Sequence, residues 1–121
     1  MKVLLDHNLP RRFRQVLQGH QFRTTREMRW ETLRNGALLA QAADAEFGAF
    51  ISADKKLEFE RNLKMLPLPL VVLDALTNSY EGVRDFAPFV QHLLTTRLQN
   101  RLYVIESTGN VVDLTEPRRT S

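Results

Sequence analysis

Two aspartates, Asp6 and Asp54, stand just past two short apolar runs, Lys2-Val3-Leu4-Leu5 and Ala49-Phe50-Ile51-Ser52. Carboxylates drawn together from separate strand ends repel unless they share a cation. Mg²⁺ or Mn²⁺ held by one or two carboxylates, water and a substrate phosphate is the common solution, and such a site activates water against a phosphodiester. Each aspartate also has a plainer role: Asp54 can N-cap a helix beginning at Lys55, and Asp6 can hold the turn before Asn8. Their joint placement favours a site. Ser52 could steady Asp54 or a ligated water by a hydrogen bond, or merely end its strand. His7 could be a ligand or proton carrier, although a lone His beside a strand end is more often a hydrogen-bonded surface group.

The elements that must position these residues follow from hydrophobic spacing. Lys2 to Leu5 reads as a strand buried on both faces, ended by the polar Asp6-His7-Asn8. Asn8 is the expected N-cap of a first helix with Pro10 in its first turn, Leu9, Phe13, Val16 and Leu17 inward, and Gly19 at its end. His20 to Thr25 is a weaker strand, followed by a loop or short helical turn from Arg26 to Arg34. Leu38, Leu39, Ala42, Ala43 and Phe47 predict a helix from Asn35 to Gly48. Ala49 to Ser52 is a second buried strand, and a helix from Lys55 to Leu66, with Leu57, Leu63 and Leu66 inward, leads to a third strand, Leu68 to Leu73. Helical spacing resumes from Tyr80 to Leu98, where Pro88 must kink the helix or mark the start of another. Arg101 to Glu106 and Val111 to Leu114 flank Ser107-Thr108-Gly109-Asn110 as a C-terminal hairpin.

Alternating strands and helices predict an α/β fold with a mainly parallel sheet, and in such sheets ligands bind beyond the carboxyl ends of the strands where the strand order reverses. Asp6 and Asp54 should emerge at that edge. The length of 121 residues suits one domain, expected over residues 1–115, with 116–121 as a flexible basic tail. The absence of cysteine excludes a disulfide framework, a thiolate metal site and a Cys nucleophile. A charge at Asp6 arrives too early for a signal-peptide apolar region and no segment is long enough for a membrane span, so a cytoplasmic protein is expected. The net charge of +3 hides an asymmetry: residues 1–34 carry eight of the 17 Lys/Arg and three of the 14 Asp/Glu. The arginines there, including Arg11, Arg12 and Arg14, could meet phosphates or an acidic partner, or simply form a solvated face. Trp30 could stack on a base or pack beside Met28 and Leu33.

The segments Leu4-Leu5-Asp6-His7-Asn8-Leu9-Pro10, Gly19-His20, Arg26-Glu27-Met28, Asn35-Gly36-Ala37-Leu38-Leu39 and Ile51-Ser52-Ala53-Asp54-Lys55-Lys56-Leu57 together resemble the PIN-like family that includes VapC-type bacterial toxins. The likeness covers roughly the first two thirds of the chain in order, which is more specific than any single motif. It implies a three-layer α/β/α sandwich, Mg²⁺- or Mn²⁺-dependent ribonuclease activity, and a small antitoxin partner; a homodimer is also conceivable. By the same resemblance Asp6 matches the first acidic ligand and Asp54 the acidic residue after a Thr/Ser-x motif, here Ser52-Ala53. Glu27 is the remaining candidate ligand, with Asn8, Asn35 and Ser52 supporting and Arg11, Arg12, Arg14 and Lys56 on RNA. The acidic set is thinned, because His7 stands where many relatives have Glu, Asn35 where many have Asp, and Lys56 where the stricter pattern has another Asp. Replacing a carboxylate by Asn loses a charge, and Lys56 adds one of the wrong sign, so metal affinity should fall.

The leading expectation is therefore a PIN-like ribonuclease toxin. The alternative keeps the fold without the chemistry: a module that binds RNA or a partner protein through its Arg-rich N-terminal third. A third reading, a phosphorylation receiver, suits the length and the opening strand. Receivers, however, usually carry adjacent acidic residues after the first strand and a Lys at a late strand end, and neither is found here.

Overall fold

Four strands buried along nearly their whole length form the centre of the sheet: β1 (Lys2–Leu5), β3 (Ala49–Ser52), β4 (Leu70–Leu73) and β5 (Leu102–Ile105). Runs such as Leu70-Val71-Val72-Leu73 have no polar alternation, so they are stable only where both faces of the sheet are covered. A computed structural model of the chain describes residues 1–59 and 65–114. In it β2 (Gln21–Thr24) lies outside β1, and β6 (Val111–Leu114) runs antiparallel beside β5. The six-stranded order is β2-β1-β3-β4-β5-β6, with the first five strands parallel. The chain is thus α/β with a mainly parallel sheet and a C-terminal hairpin. Gly109 permits the hairpin turn, since it takes φ 94° and a Cβ there would lie 2.8 Å from the Phe89 ring.

Alternation along the strands divides the core between the faces. Val3, Leu5, Ile51, Val71, Leu73 and Ile105 pack with Phe13 of α1 (Arg11–Gln15), Val83 of α3 (Tyr80–Val83) and Val90 and Leu94 of α4 (Ala87–Leu94). Leu4, Phe50, Leu70, Val72, Leu102 and Val104 pack with Leu38, Leu39 and Ala42 of α2 (Asn35–Asp44) and with Leu57. Each of the Val, Leu, Ile and Phe side chains among these contributes roughly 1.5–3 kcal/mol of burial free energy. Trp30 belongs to this second core, edge-on to Phe47 with ring centroids 5.9 Å apart, so packing accounts for it.

The helices are shorter than their apolar spacing predicts, and the causes are local. Asn8 does not cap α1: Pro10 occupies the N-cap position without any side-chain cap, and the Asn8 amide is used elsewhere. The helix stops at Gln15 rather than reaching Gly19. α2 ends at Asp44, short of Gly48, because Glu46 takes φ 66° and turns the chain. The N–H groups of Glu46 and Phe47 then bond back to Ala43 and Ala42, each at 3.0 Å, a Schellman closure that drops Phe47 into the core. Where a helix is expected from Lys55 to Leu66, the described residues hold a 3₁₀ turn, Lys55–Phe59, and Leu63 lies outside the described residues. β4 starts at Leu70 rather than Leu68; Pro69, with no N–H for the ladder, precedes it. Between Tyr80 and Leu98 there are two helices, α3 and α4, joined by a 3₁₀ turn over Arg84–Phe86, and Pro88 stands in the first turn of α4. The 116–121 tail also lies outside the described residues. Among the described residues, no helix is long and apolar enough to cross a membrane.

Candidate functional site

Strand order reverses between β1 and β3: the chain leaves β1 for β2 on one side and returns to lay β3 on the other. Adjacent connections then diverge, opening a crevice at the carboxyl edge. Asp6 follows β1 directly, and its N–H still donates to Ile51 O at 2.9 Å, so it is registered against β3. Asp54 lies two residues past β3. The sheet therefore brings the two sequence-predicted carboxylates to the same edge of neighbouring strands.

Ser52 joins them. Its hydroxyl donates to Asp6 Oδ2 at 2.8 Å and accepts the Asp54 N–H at 3.0 Å and an Asn8 Nδ2 proton at 3.4 Å. One donor and two acceptor directions use the whole capacity of a hydroxyl, which explains how Ser52 is tolerated at 0% exposure. Asn8 Oδ1 is buried beside this group with no partner among the described residues, while the Asn8 carbonyl accepts from Asn78 Nδ2 at 3.0 Å. Asp54 Oδ1 accepts the Lys56 N–H at 3.0 Å, so Asp54 also performs the capping role foreseen for it.

The carboxylates open onto different hollows. Asp6 lines one of about 460 Å³ with Leu9, Arg11, Arg14, Thr24 and Glu27. Asp54 lines another of about 480 Å³ with Asn8, Lys55, Lys56, Leu76 and Asn78. The Asp6 hollow is half-enclosed, whereas the Asp54 hollow is a shallow depression open to solvent. Arg12, expected beside Arg11 and Arg14, points away and lies over the Tyr80 ring at 4.1 Å. Glu27 lines the Asp6 hollow and not the one that Asp54 lines. It is bound by Arg14 and by the Thr24 N–H, and its carboxyl is held below the usual range mainly by the Arg14 hydrogen bond. Asn35 is exposed at the start of α2 and is not among the residues lining either hollow.

His7 is packed against the site by Thr25, a fully buried residue to which hydrophobic spacing gave no special place. The Thr25 hydroxyl accepts the His7 N–H at 2.9 Å and lies 2.9 Å from His7 Nδ1, which is also 3.3 Å from Asp6 Oδ1. A second residue missed from sequence is Asp74, directly after β4, whose carboxylate pairs with Lys55 at 3.0 Å. Its signal was available, because Asp74 follows the run from Leu70 to Leu73 just as Asp6 follows the run from Lys2 to Leu5.

The donor set decides which cation the edge would suit. Asp6 Oδ1, Asp54 and the unpartnered Asn8 Oδ1 are oxygen donors, but Glu27 is committed to Arg14 and Asp74 to Lys55. Among the described residues, no group of three or more His, Cys, Asp or Glu is gathered for a metal. Oxygen donors of this kind would suit a hydrated Mg²⁺ or Mn²⁺ that keeps most of its water rather than a closed structural cage. The order of the five parallel strands, β2-β1-β3-β4-β5, is one that receiver domains share, yet Glu106 rather than Lys follows β5. In comparisons with known proteins, no family model, no curated protein and no solved structure matches the chain.

Proposed function

We propose that the chain is a PIN-like, three-layer α/β/α ribonuclease of the toxin type, acting in the cytoplasm on RNA phosphodiesters and held in check by a small antitoxin. The observation that carries this reading is the Ser52 hydroxyl, bonded at once to Asp6 Oδ2 and to the Asp54 N–H at the strand-order reversal. A serine so placed fixes two carboxylate-bearing residues at the crevice where ligands of parallel sheets bind. Asp6 and Asp54 would hold Mg²⁺ or Mn²⁺ with Asn8 beside them. When bound, that ion supplies the chemistry of phosphodiester hydrolysis, activating water and neutralising charge. Arg11, Arg14 and Lys56 line the flanking hollows and offer cations to the RNA backbone.

One observation favours the second reading, a binding module with a weak or silent site: the carboxylates open to separate hollows, and Glu27 is engaged by Arg14. The deciding experiment incubates wild type and Asp6→Ala with labelled mixed-sequence single-stranded RNA in Mn²⁺, in Mg²⁺ and in excess chelator. Metal-dependent cleavage by wild type, lost in Asp6→Ala, is the expected result. Equal inactivity of both at high protein concentration, with RNA still bound, would leave the binding module as the function.

A further inference from the structure

Glu27 is the third carboxylate that the sequence offers to a metal, and its surroundings commit it to another task. Its Oε1 accepts from the Thr24 N–H at 3.0 Å while its own N–H donates to Thr24 Oγ1 at 3.0 Å. This reciprocal pair closes the turn leaving β2 and fixes the carboxylate to the end of the sheet, much as a capping box fixes the start of a helix. The same Oε1 accepts from Arg14 Nη1.

Arg14 sits in the last turn of α1, a five-residue helix with no side-chain cap. A guanidinium on so short a helix has little local support, and Glu27 supplies it from a neighbouring element. Only Nη1 is used by that contact. The other donors of Arg14 make no hydrogen bond among the described residues, and Arg14 and Arg11, one turn apart, line the hollow that Asp6 also lines. Two guanidinium groups on one wall suit a phosphate, which accepts paired N–H donors, and a guanidinium already aimed loses less side-chain freedom on binding.

We propose that Glu27 is a positioning residue: it aims Arg14 into the Asp6-lined hollow, where Arg14 and Arg11 bind a phosphate of the RNA strand. This rests on the RNA reading above but not on cleavage. It opposes a ligand role for Glu27, because removing a carboxylate that only coordinated the metal would leave metal-free RNA affinity unchanged or, by relieving charge repulsion, raise it.

The test is fluorescence anisotropy with labelled single-stranded RNA in excess chelator, for wild type, Arg14→Ala, Glu27→Ala, Glu27→Gln and the Arg14→Ala/Glu27→Ala double variant. Arg14→Ala should weaken binding about 10-fold and lower the salt slope by about 0.7, the value for one phosphate contact on a single strand. Glu27→Ala should weaken it about 5-fold, and the double variant should bind no worse than Arg14→Ala alone, because residues acting through one contact are not additive. Glu27→Gln keeps the oxygen that the Thr24 N–H and Arg14 share, and so keeps the turn, but loses the charge that strengthens the Arg14 contact, and should lose affinity by less than Glu27→Ala. Wild-type or tighter affinity in both Glu27 variants, or additive losses in the double variant, would overturn the proposal. If coupling is found in a protein that cleaves no RNA, the catalytic reading falls and the positioning role stands. If wild type cleaves RNA while both Glu27 variants bind normally, the positioning role falls and the catalytic reading stands. A wild type that binds no RNA sinks both.

Discussion

The Ser52 hydroxyl donates to Asp6 Oδ2 across 2.8 Å, from the last residue of β3 to the residue just past β1. Because the same oxygen also receives the Asp54 N–H, the positions of the two aspartates depend on one buried atom.

Ser52→Ala removes that atom and leaves Asp6 Oδ2, the Asp54 N–H and the Asn8 amide without their shared partner. Buried groups left unsatisfied cost about 1–3 kcal/mol, so the denaturant midpoint should drop accordingly with no change in the slope of the transition. RNA cleavage should fall as well. An unchanged midpoint would mean that water replaces the hydroxyl.

Asp54 both caps the Lys56 N–H and faces the second hollow, and two substitutions separate these roles. Asn also caps well, so Asp54→Asn should keep stability while abolishing metal-dependent cleavage. Asp54→Ala should lose cleavage and also about 0.5–2 kcal/mol of stability, read from equilibrium unfolding. Full cleavage by Asp54→Asn would reduce Asp54 to a cap.

Arg11 and Arg12 are adjacent in sequence but point to different surroundings, the Asp6 hollow and the Tyr80 ring. Arg12→Ala should cost about 0.5–1 kcal/mol through the lost cation–π contact and leave RNA affinity nearly unchanged. Arg11→Ala should do the reverse, lowering RNA affinity and its salt dependence while the thermal midpoint stays within error. Equal effects from the two variants would mean that the basic face acts without regard to geometry.

His20 gives the fold a pH dependence of defined sign. It is half-buried with Nδ1 unpartnered, and burial, then the nearby N-terminal amine, pull its pKa below 6.5. With the folded value below the unfolded one, the unfolded chain binds the extra proton. The penalty is therefore absent above about pH 6.5 and grows as the pH falls through that value toward the folded pKa. His20→Phe, which keeps a ring beside Phe22, should lose less stability than wild type between about pH 7 and pH 5 in thermal melts run side by side. Parallel curves for the two proteins would remove His20 as the cause.

The strands and their burial were legible along the chain, because four-residue runs with no polar alternation can exist only inside a covered parallel sheet. Asp6 and Asp54 could be assigned from the same runs to strand ends, and so to one edge, since every parallel strand points the same way. Helix lengths were not legible from periodicity, for Phe47 and Leu17 keep helical spacing while lying past the ends of α2 and α1, where the chain has already turned. The wiring of the edge is a property of the folded chain alone. Ser52 reaches Asp6 because β3 pairs with β1, and Glu27 is taken by Arg14 because α1 and the exit of β2 meet beside the same hollow. Those contacts join residues 46 and 13 positions apart, a separation at which local spacing carries no information and strand order carries all of it.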